Sequence, residues 1–183
     1  MQSRTEIFLS DNAFLGMLIS SVEVYKLECH GILLGFKTKG RIVVEYAVPC
    51  QAAKRKFSEV QPNWRKELKV KEVLPKLVHL QVLGGFHSHP QFGKEKGKSR
   101  LSESDKLFLN EGEIEVVVAI NDEKRVCAWG ETKEGLSGTL GDYHITLSGF
   151  YKRKKDQKIA KFRIVCPYAV GFDFAFDSFD QRR

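Results

Sequence analysis

Two spacings of apolar residues along this chain predict helices interspersed with strands. After Ser10 or Asp11, either of which can cap a helix, Phe14, Leu18 and Val22 recur at helical spacing. Short apolar runs bounded by glycine, proline or polar residues predict strands. The predicted strands are 28–35, 41–49, 80–89, 113–121, 125–131, 142–151 and 158–168, and the further predicted helices are 61–78 and 101–110. This order implies a mixed sheet covered by helices, an α/β layered domain.

Two pairs of these strands are typical of hairpins. Residues 113–121 and 125–131 are separated by a short acidic turn, and residues 142–151 and 158–168 by a basic one. The tail that follows, residues 172–180, alternates aromatic and acidic side chains. It is either a last strand or an extended docking segment, and its pattern fits both.

Length and composition restrict the class of protein. The 183 residues fit one domain, and area scaling predicts that about 70% of the extended surface is buried on folding. With 42% hydrophobic and 29% charged residues, the chain is not of a disordered, collagen-like or low-complexity type. No apolar run reaches the roughly 18 residues that a membrane-spanning helix needs, and the start does not resemble a signal peptide. We therefore expect a cytoplasmic protein with no membrane partner.

The cysteines favour free thiols. Cys29, Cys50, Cys127 and Cys166 lie far apart, and no two of them form a Cys-x-x-Cys pair. A disulfide framework is typical of shorter secreted chains, and a four-cysteine zinc site usually has paired spacing. Buried free thiols in a reducing compartment fit the sequence better.

The positive charge is unevenly distributed. The net charge is +7, and residues 150–163 hold seven basic side chains against one acidic side chain, with Phe150, Tyr151 and Phe162 among them. Such a segment is compatible with nucleic-acid binding through aromatic stacking and phosphate contacts. It is equally compatible with solvated lysines in a hairpin turn, which is the interpretation we favour.

The segment with the most chemical information follows the strand 80–89. Because side chains alternate along a strand, His87 and His89 point to one face and can chelate a single zinc ion. A catalytic zinc site uses three protein ligands and leaves the fourth position for water. Asp105 is the natural third ligand, since it begins a helix that can pack beside the strand end. Ser102 and Asp105 also match a helix capping box, and both interpretations can hold together.

The joint pattern is more specific than its parts. Glu28 before two nearby glycines, then His-Ser-His-Pro at 87–90, then Ser-x-x-Asp at 102–105, resembles the JAMM motif of the MPN+ (Mov34/JAB) zinc metalloprotease family. The resemblance extends over about residues 5–131. It implies one domain over residues 1–183 with the family's three-layer α/β/α sandwich and a mixed sheet, extended by C-terminal strands over 142–183.

The resemblance also implies roles for individual residues. His87, His89 and Asp105 correspond to the ligands of one Zn²⁺ per chain, Glu28 to the general acid/base, and Ser102 to the residue that supports the oxyanion. Many members of the family cut isopeptide bonds to ubiquitin or ubiquitin-like proteins. The implied function is a zinc-dependent isopeptidase or peptidase, similar to prokaryotic deubiquitinase-like enzymes, that uses a metal-activated water to hydrolyse the amide bond after the C-terminus of a ubiquitin-like modifier.

The loop between the second histidine and Ser102 is longer here than in the family pattern. Since it connects two sets of ligands, we expect Phe92, Lys94 and Lys96 to contact the substrate. Two other functions remain open: a non-catalytic MPN-type scaffold for protein association, and a JAB protein linked to nucleic acid. The sequence leaves the oligomeric state open.

Overall fold

The computed structural model describes residues 5–51, 54–55, 60–61, 63–123 and 126–171. The helices in these ranges are α1 (Asp11–Glu23), α2 (Trp64–Val78) and α3 (Glu103–Phe108). The strands are β1 (Glu6–Leu9), β2 (His30–Thr38), β3 (Arg41–Pro49), β4 (Lys54–Arg55), β5 (Val60–Gln61), β6 (Gln81–Pro90), β7 (Ile114–Asp122), β8 (Gly130–Glu131), β9 (Leu136–Leu140), β10 (Tyr143–Lys152) and β11 (Ile159–Val165). Within the described ranges, no helix combines the length and the apolar character needed to cross a membrane. The aromatic and acidic tail, residues 172–180, lies outside the described residues.

Seven strands close into a ring in the order β1, β3, β2, β6, β7, β10 and β11. The ring closes because β11 pairs with β1 on one side and with β10 on the other. One edge of β10 pairs with β7 over residues 143–151, while the other is shared between β9 over 143–147 and β11 over 149–152. The result is a closed barrel, which β9 and β8 extend from the edge of β10.

The predicted three-layer α/β/α sandwich is wrong. A layered sandwich has open sheet edges, whereas here the first and last strands of the ring pair with each other and remove those edges. The pairing joins Glu6–Phe8 to Arg163–Val165, at opposite ends of the described chain. Periodicity along the sequence reports which residues are strands but not which distant strand each one pairs with, so the closure was missed.

The predicted hairpin of 113–121 with 125–131 is also wrong. β7 is parallel to β6 and antiparallel to β10, and its residues 116–121 are buried. A nearly continuous apolar run is typical of a central strand that is covered on both faces. The short strand β8 pairs instead with β9, while β10 and β11 pair antiparallel across the basic turn.

A large aromatic side chain fills the core between α1 and the sheet. The ring of Trp129 meets the ring of Phe14 edge to face, with centroids 4.8 Å apart, and its Nε1 donates to the carbonyl of Thr139 at 2.9 Å. Helix α1 is held at its start by Ser10, whose Oγ accepts a hydrogen bond from the N–H of Ala13 at 3.1 Å. The predicted cap at Ser10 is therefore confirmed, and it sets the residue at which the buried face of α1 begins.

The predicted free thiols are confirmed. All four cysteines are unbridged. Cys29 and Cys166 are buried, as predicted, whereas Cys50 and Cys127 are only half-buried and depart from that prediction.

Candidate metal centre

Strand β6 presents two histidines on one face near its end. His87 is 6% exposed and His89 is half-buried. Their Nε2 atoms lie 3.1 Å apart. Ser88, between them, points the other way, and its buried Oγ accepts a hydrogen bond from the N–H of Cys29 at 2.8 Å. The alternation of a strand therefore brings the two imidazoles together as the sequence predicted.

Helix α3 delivers a carboxylate to the same point. Its capping box pairs the Oγ of Ser102 with the N–H of Asp105 at 3.1 Å, and the Oδ2 of Asp105 with the N–H of Ser102 at 2.6 Å. The same Oδ2 lies 3.4 Å from Nε2 of His87 and 3.6 Å from Nε2 of His89. The cap thus holds the aspartate in place beside both histidines, and the capping and ligand interpretations hold together.

The three donor atoms fit a zinc ion. Metal–ligand bonds of about 2.0–2.2 Å in a tetrahedral site place the ligand atoms roughly 3.3–3.6 Å from one another. The observed distances between the three donor atoms, 3.1, 3.4 and 3.6 Å, lie close to these values. Two imidazoles and one carboxylate form a three-residue donor set that leaves the fourth position open, as catalytic zinc sites do.

Outer partners orient both imidazoles. The Nδ1 of His87 lies 2.7 Å from Oε1 of Glu115, and the Nδ1 of His89 lies 2.8 Å from the carbonyl oxygen of Lys98. A proton on each Nδ1 leaves each Nε2 free to bind a metal, which is the usual arrangement of zinc-binding histidines. The Glu115 carboxylate fits here because Gly85 has no side chain. A Cβ at Gly85 would lie only 2.9 Å from Oε2 of Glu115.

Sequence reasoning missed Glu115, although a signal was present. It is the one carboxylate inside the otherwise apolar run 114–120 of β7, and a charged group in such a position usually has a specific partner. The pairing with His87 depends on the parallel register of β6 and β7. That register joins residues nearly thirty positions apart, so the sequence pattern did not reveal it.

The electrostatics of the cluster favour a cation at its centre. Burial lowers the pKa of His87, but hydrogen bonds with Asp105 and Glu115 outweigh burial and raise that pKa to about 10. Burial raises the pKa of Asp105, and its hydrogen bonds with His87 and His89 more than reverse this, holding the pKa well below its usual range. A metal ion competes with the proton for the same Nε2 lone pair.

Glu28 lies just before β2, at the strand end that adjoins the histidines. His30 is directly opposite His87, and the carbonyl of Cys29 accepts a hydrogen bond from the N–H of Ser88 at 3.0 Å. Cys29 is therefore opposite Ser88. Continuing the antiparallel register by one more residue puts Glu28 opposite His89. Its side chain is half-buried. The structure therefore brings the backbone of the predicted acid/base to the edge of the candidate metal centre.

A cleft of about 490 Å³ opens beside the centre. It is lined by His89, Glu95, Lys96, Lys98, Arg100, Leu101 and Ser102. Positive side chains outnumber negative ones in this lining, so the cleft favours an anionic or carboxylate-bearing ligand. The Oγ of Ser102 accepts a hydrogen bond from Asp105, and a hydroxyl that accepts can still donate its own proton into the cleft.

The predicted substrate-binding residues divide into two groups. Lys96 lines the cleft, and its Nζ lies 3.1 Å from Oε2 of Glu123. Phe92 and Lys94 are exposed on a tight turn in which the backbones of Phe92 and Glu95 exchange hydrogen bonds of 2.9 Å each. They do not line the cleft. The structure therefore groups only Lys96 with the candidate centre.

The aromatic residues of the basic segment are used in packing. Tyr151 and Phe162 stack with ring centroids 5.2 Å apart, and Phe150 packs against the small buried cluster around Val117. All three are half-buried. Base stacking needs accessible ring faces, so this arrangement favours a hairpin with a solvated basic turn.

No family model and no curated protein matches this chain. It is similar to a solved structure, the solution structure of protein DSY2949 from Desulfitobacterium hafniense, at 17% identity and a TM-score of 0.63. The match covers 90% of this chain and 95% of that chain. At this identity the likeness shows the fold alone. Together with the closed barrel it overturns the predicted membership in the JAMM/MPN+ family, and that prediction is wrong. The support for the candidate metal centre is therefore the identity of its three donor atoms and the distances between them.

Proposed function

We propose that this protein is a zinc-dependent peptidase or isopeptidase that cleaves an amide bond with a metal-activated water. The observation that carries the proposal is the convergence of His87, His89 and Asp105, whose donor atoms are 3.1 to 3.6 Å apart. The cleft beside them, lined by His89 and Ser102, gives a substrate access to the open fourth position. The outer partners of both histidines support a metal-binding role.

Each neighbouring residue has a part in the proposed reaction. Zinc, when bound, supplies a Lewis acid that lowers the pKa of its water towards about 7. Glu28 accepts a proton from the attacking water and returns it to the departing amine. The Ser102 hydroxyl donates to the oxyanion, an effect of about 3 kcal/mol in other enzymes. The scheme needs no cysteine or serine nucleophile, so no acyl-enzyme forms.

The cleft limits the class of substrate. Lys96, Lys98 and Arg100 in its lining favour a peptide that carries carboxylates near the scissile bond. The C-terminus of a ubiquitin-like modifier stays a prediction about the substrate. A panel of zinc-dependent cleavage assays should therefore compare modifier–lysine conjugates with acidic and basic peptides of equal length.

The decisive variant is Glu28→Gln in the zinc-loaded full chain. Since general acid–base catalysis contributes about 10²–10⁴-fold, we expect cleavage to fall by at least about 100-fold. Zinc content should stay that of the parent protein, because Glu28 is not among the three donors. Rates come from mass spectrometry of the products, and zinc from elemental analysis.

Glu23→Gln is the matched control, because Glu23 is an exposed carboxylate at the end of α1. It should cleave at the parental rate. Full activity in Glu28→Gln would remove Glu28 from the mechanism, and activity that survives a chelator would refute metal catalysis. Protein that binds no zinc at the His87 centre would favour a non-catalytic scaffold.

A further inference from the structure

Three more metal-binding side chains meet where α2 lies against the barrel: His30, Cys50 and Glu67. One ligand atom from each lies within 4.8 Å of the other two. The Nε2 of His30 is 3.3 Å from Oε2 of Glu67. No member of this cluster belongs to the candidate metal centre, and the amide-hydrolysis scheme uses none of them.

Strand pairing and helix geometry bring the cluster together. Gly31 is opposite Pro49 in the β2–β3 ladder, and the N–H of Cys50 donates to the carbonyl of His30 at 2.8 Å. His30 and Cys50 are therefore directly opposite, a position in which antiparallel strands put side chains on the same face. Glu67 arrives from the first turn of α2. All three side chains are half-buried.

We propose that His30, Cys50 and Glu67 form a second zinc site. Thiolate, imidazole and carboxylate are the three protein donors that zinc takes, and the edges of such a tetrahedron are roughly 3.3–3.7 Å. The His30–Glu67 separation of 3.3 Å already matches this range, and the Cys50 thiol lies within 4.8 Å of both other donors. Partial exposure gives the ion an entry path from solvent. Binding releases the Cys50 thiol proton, so the ion meets one thiolate and one carboxylate.

The carboxylate is already oriented for this role. The Nζ of Lys71 lies 2.7 Å from Oε1 of Glu67, on the oxygen that does not face His30. Oε2 is therefore the oxygen that points to the imidazole. Second partners of this kind set the direction of a ligating carboxylate in metal sites.

A zinc ion here would fasten α2 to the strand ends. The helix leaves several apolar side chains exposed, with Leu68 at 52% and Val73 at 53%. Among the α2 side chains that the structure describes, none is fully buried. A metal bridge between α2, the start of β2 and the end of β3 would reinforce the His30–Glu67 contact that already joins this helix to the barrel, as structural zinc does in small domains.

Zinc-edge X-ray absorption on the zinc-loaded full chain tests the site directly. The His87 centre contains no sulfur, so a zinc–sulfur distance of about 2.3 Å reports only the second site. We expect that signal in the parent protein with about two zinc ions per chain. In His87→Ala the signal should persist after the first ion is lost. This separates failure of the second site from failure of the proposed function.

Cys50→Ser should remove the sulfur signal and one zinc ion, and Glu67→Gln should lower zinc affinity at this site with the thiol intact. Cys127→Ser is the matched control, since Cys127 is also half-buried beside a histidine, with Sγ 3.5 Å from Nδ1 of His144. It should leave the signal unchanged. A parent protein without zinc–sulfur scattering overturns the proposal, as does a signal that persists in folded Cys50→Ser.

Discussion

The contact between Glu115 and His87 determines which ring nitrogen of His87 faces the candidate metal centre. The carboxylate 2.7 Å from Nδ1 fixes the ring orientation and the proton position, leaving Nε2 towards His89 and Asp105. Replacing Glu115 with glutamine keeps the size but removes the charge. Because outer partners of this kind contribute about 10–100-fold to metal affinity, we expect Glu115→Gln to weaken zinc binding by that factor. Competition titration with a chromogenic chelator measures it.

Glu113→Gln is the matched control for this variant. Glu113 lies two residues earlier and accepts a hydrogen bond from Asn110 at 3.0 Å rather than facing a histidine. Its zinc affinity should equal that of the parent protein. Equal zinc affinities in Glu115→Gln and in the parent protein would mean that the Glu115 carboxylate does not contribute to zinc binding.

At this scale, sequence reasoning identified ligands that are close together in the chain. His87 and His89 share a face because a strand alternates, and Asp105 is placed by a capping box with Ser102, three residues earlier, so both follow from local rules. The carbonyl of Lys98 and the carboxylate of Glu115 were missed. Their contacts depend on the path of a loop and on the register between strands, and neither is a property of a local pattern.

At the scale of elements, the contact between α2 and β2 depends on protonation. Burial lowers the pKa of His30, but hydrogen bonds with Cys50 and Glu67 raise it from 6.5 to about 9. The hydrogen bond from His30 lowers the pKa of Glu67 from 4.5 to about 2, against burial. The raised imidazole value stabilises the fold below pH 6.5, an effect lost as pH rises through about 9. The lowered carboxyl value stabilises it above pH 4.5, an effect lost as pH falls towards 2.

These directions predict how a variant of the metal-free protein behaves. We expect Glu67→Gln to lower the free energy of unfolding most between about pH 4.5 and 6.5, where both partners are charged. The difference from the parent protein should shrink at higher and at lower pH. Urea denaturation in a chelating buffer at several pH values measures this difference.

Glu72→Gln, an exposed carboxylate on the same helix, provides the comparison. It should show a small difference without this pH profile, because exposed charges contribute little to stability. If the difference in free energy of unfolding between Glu67→Gln and the parent protein stays constant between pH 5 and about 9, the contribution of a charged His30–Glu67 pair to stability is contradicted.

At the scale of the whole molecule, one core joins α1 to the barrel through Trp129. The residue is 1% exposed and packs edge-on against Phe14. Truncating a buried aromatic side chain leaves a cavity, and the cost is about 3–5 kcal/mol. We expect Trp129→Ala to lower the free energy of unfolding by that amount, a large part of the roughly 5–15 kcal/mol of an ordinary domain. Thermal and urea denaturation measure the loss.

Val126→Ala is a suitable comparison, because Val126 lies in the same connection and is 63% exposed. Its effect should stay within about 0.5 kcal/mol. Similar losses for the two variants would show that Trp129 is not a central part of the core.

The local features of this protein follow from its sequence with no knowledge of the fold. The start of α1 at Ser10, the capping box at Ser102 and the shared face of His87 and His89 each depend on residues a few positions apart. Interactions of this range leave a recognisable pattern, because helix and strand geometries have fixed periods.

The closed barrel and the partners of the metal ligands depend on long-range pairing. An alternating strand fits several neighbours equally well, so the pairing of β1 with β11 has no signature in either segment. The same holds for the meeting of His30, Cys50 and Glu67, which come from two strand ends and a helix. Strand choice and register are settled by burying one common core, and that is a property of the complete chain.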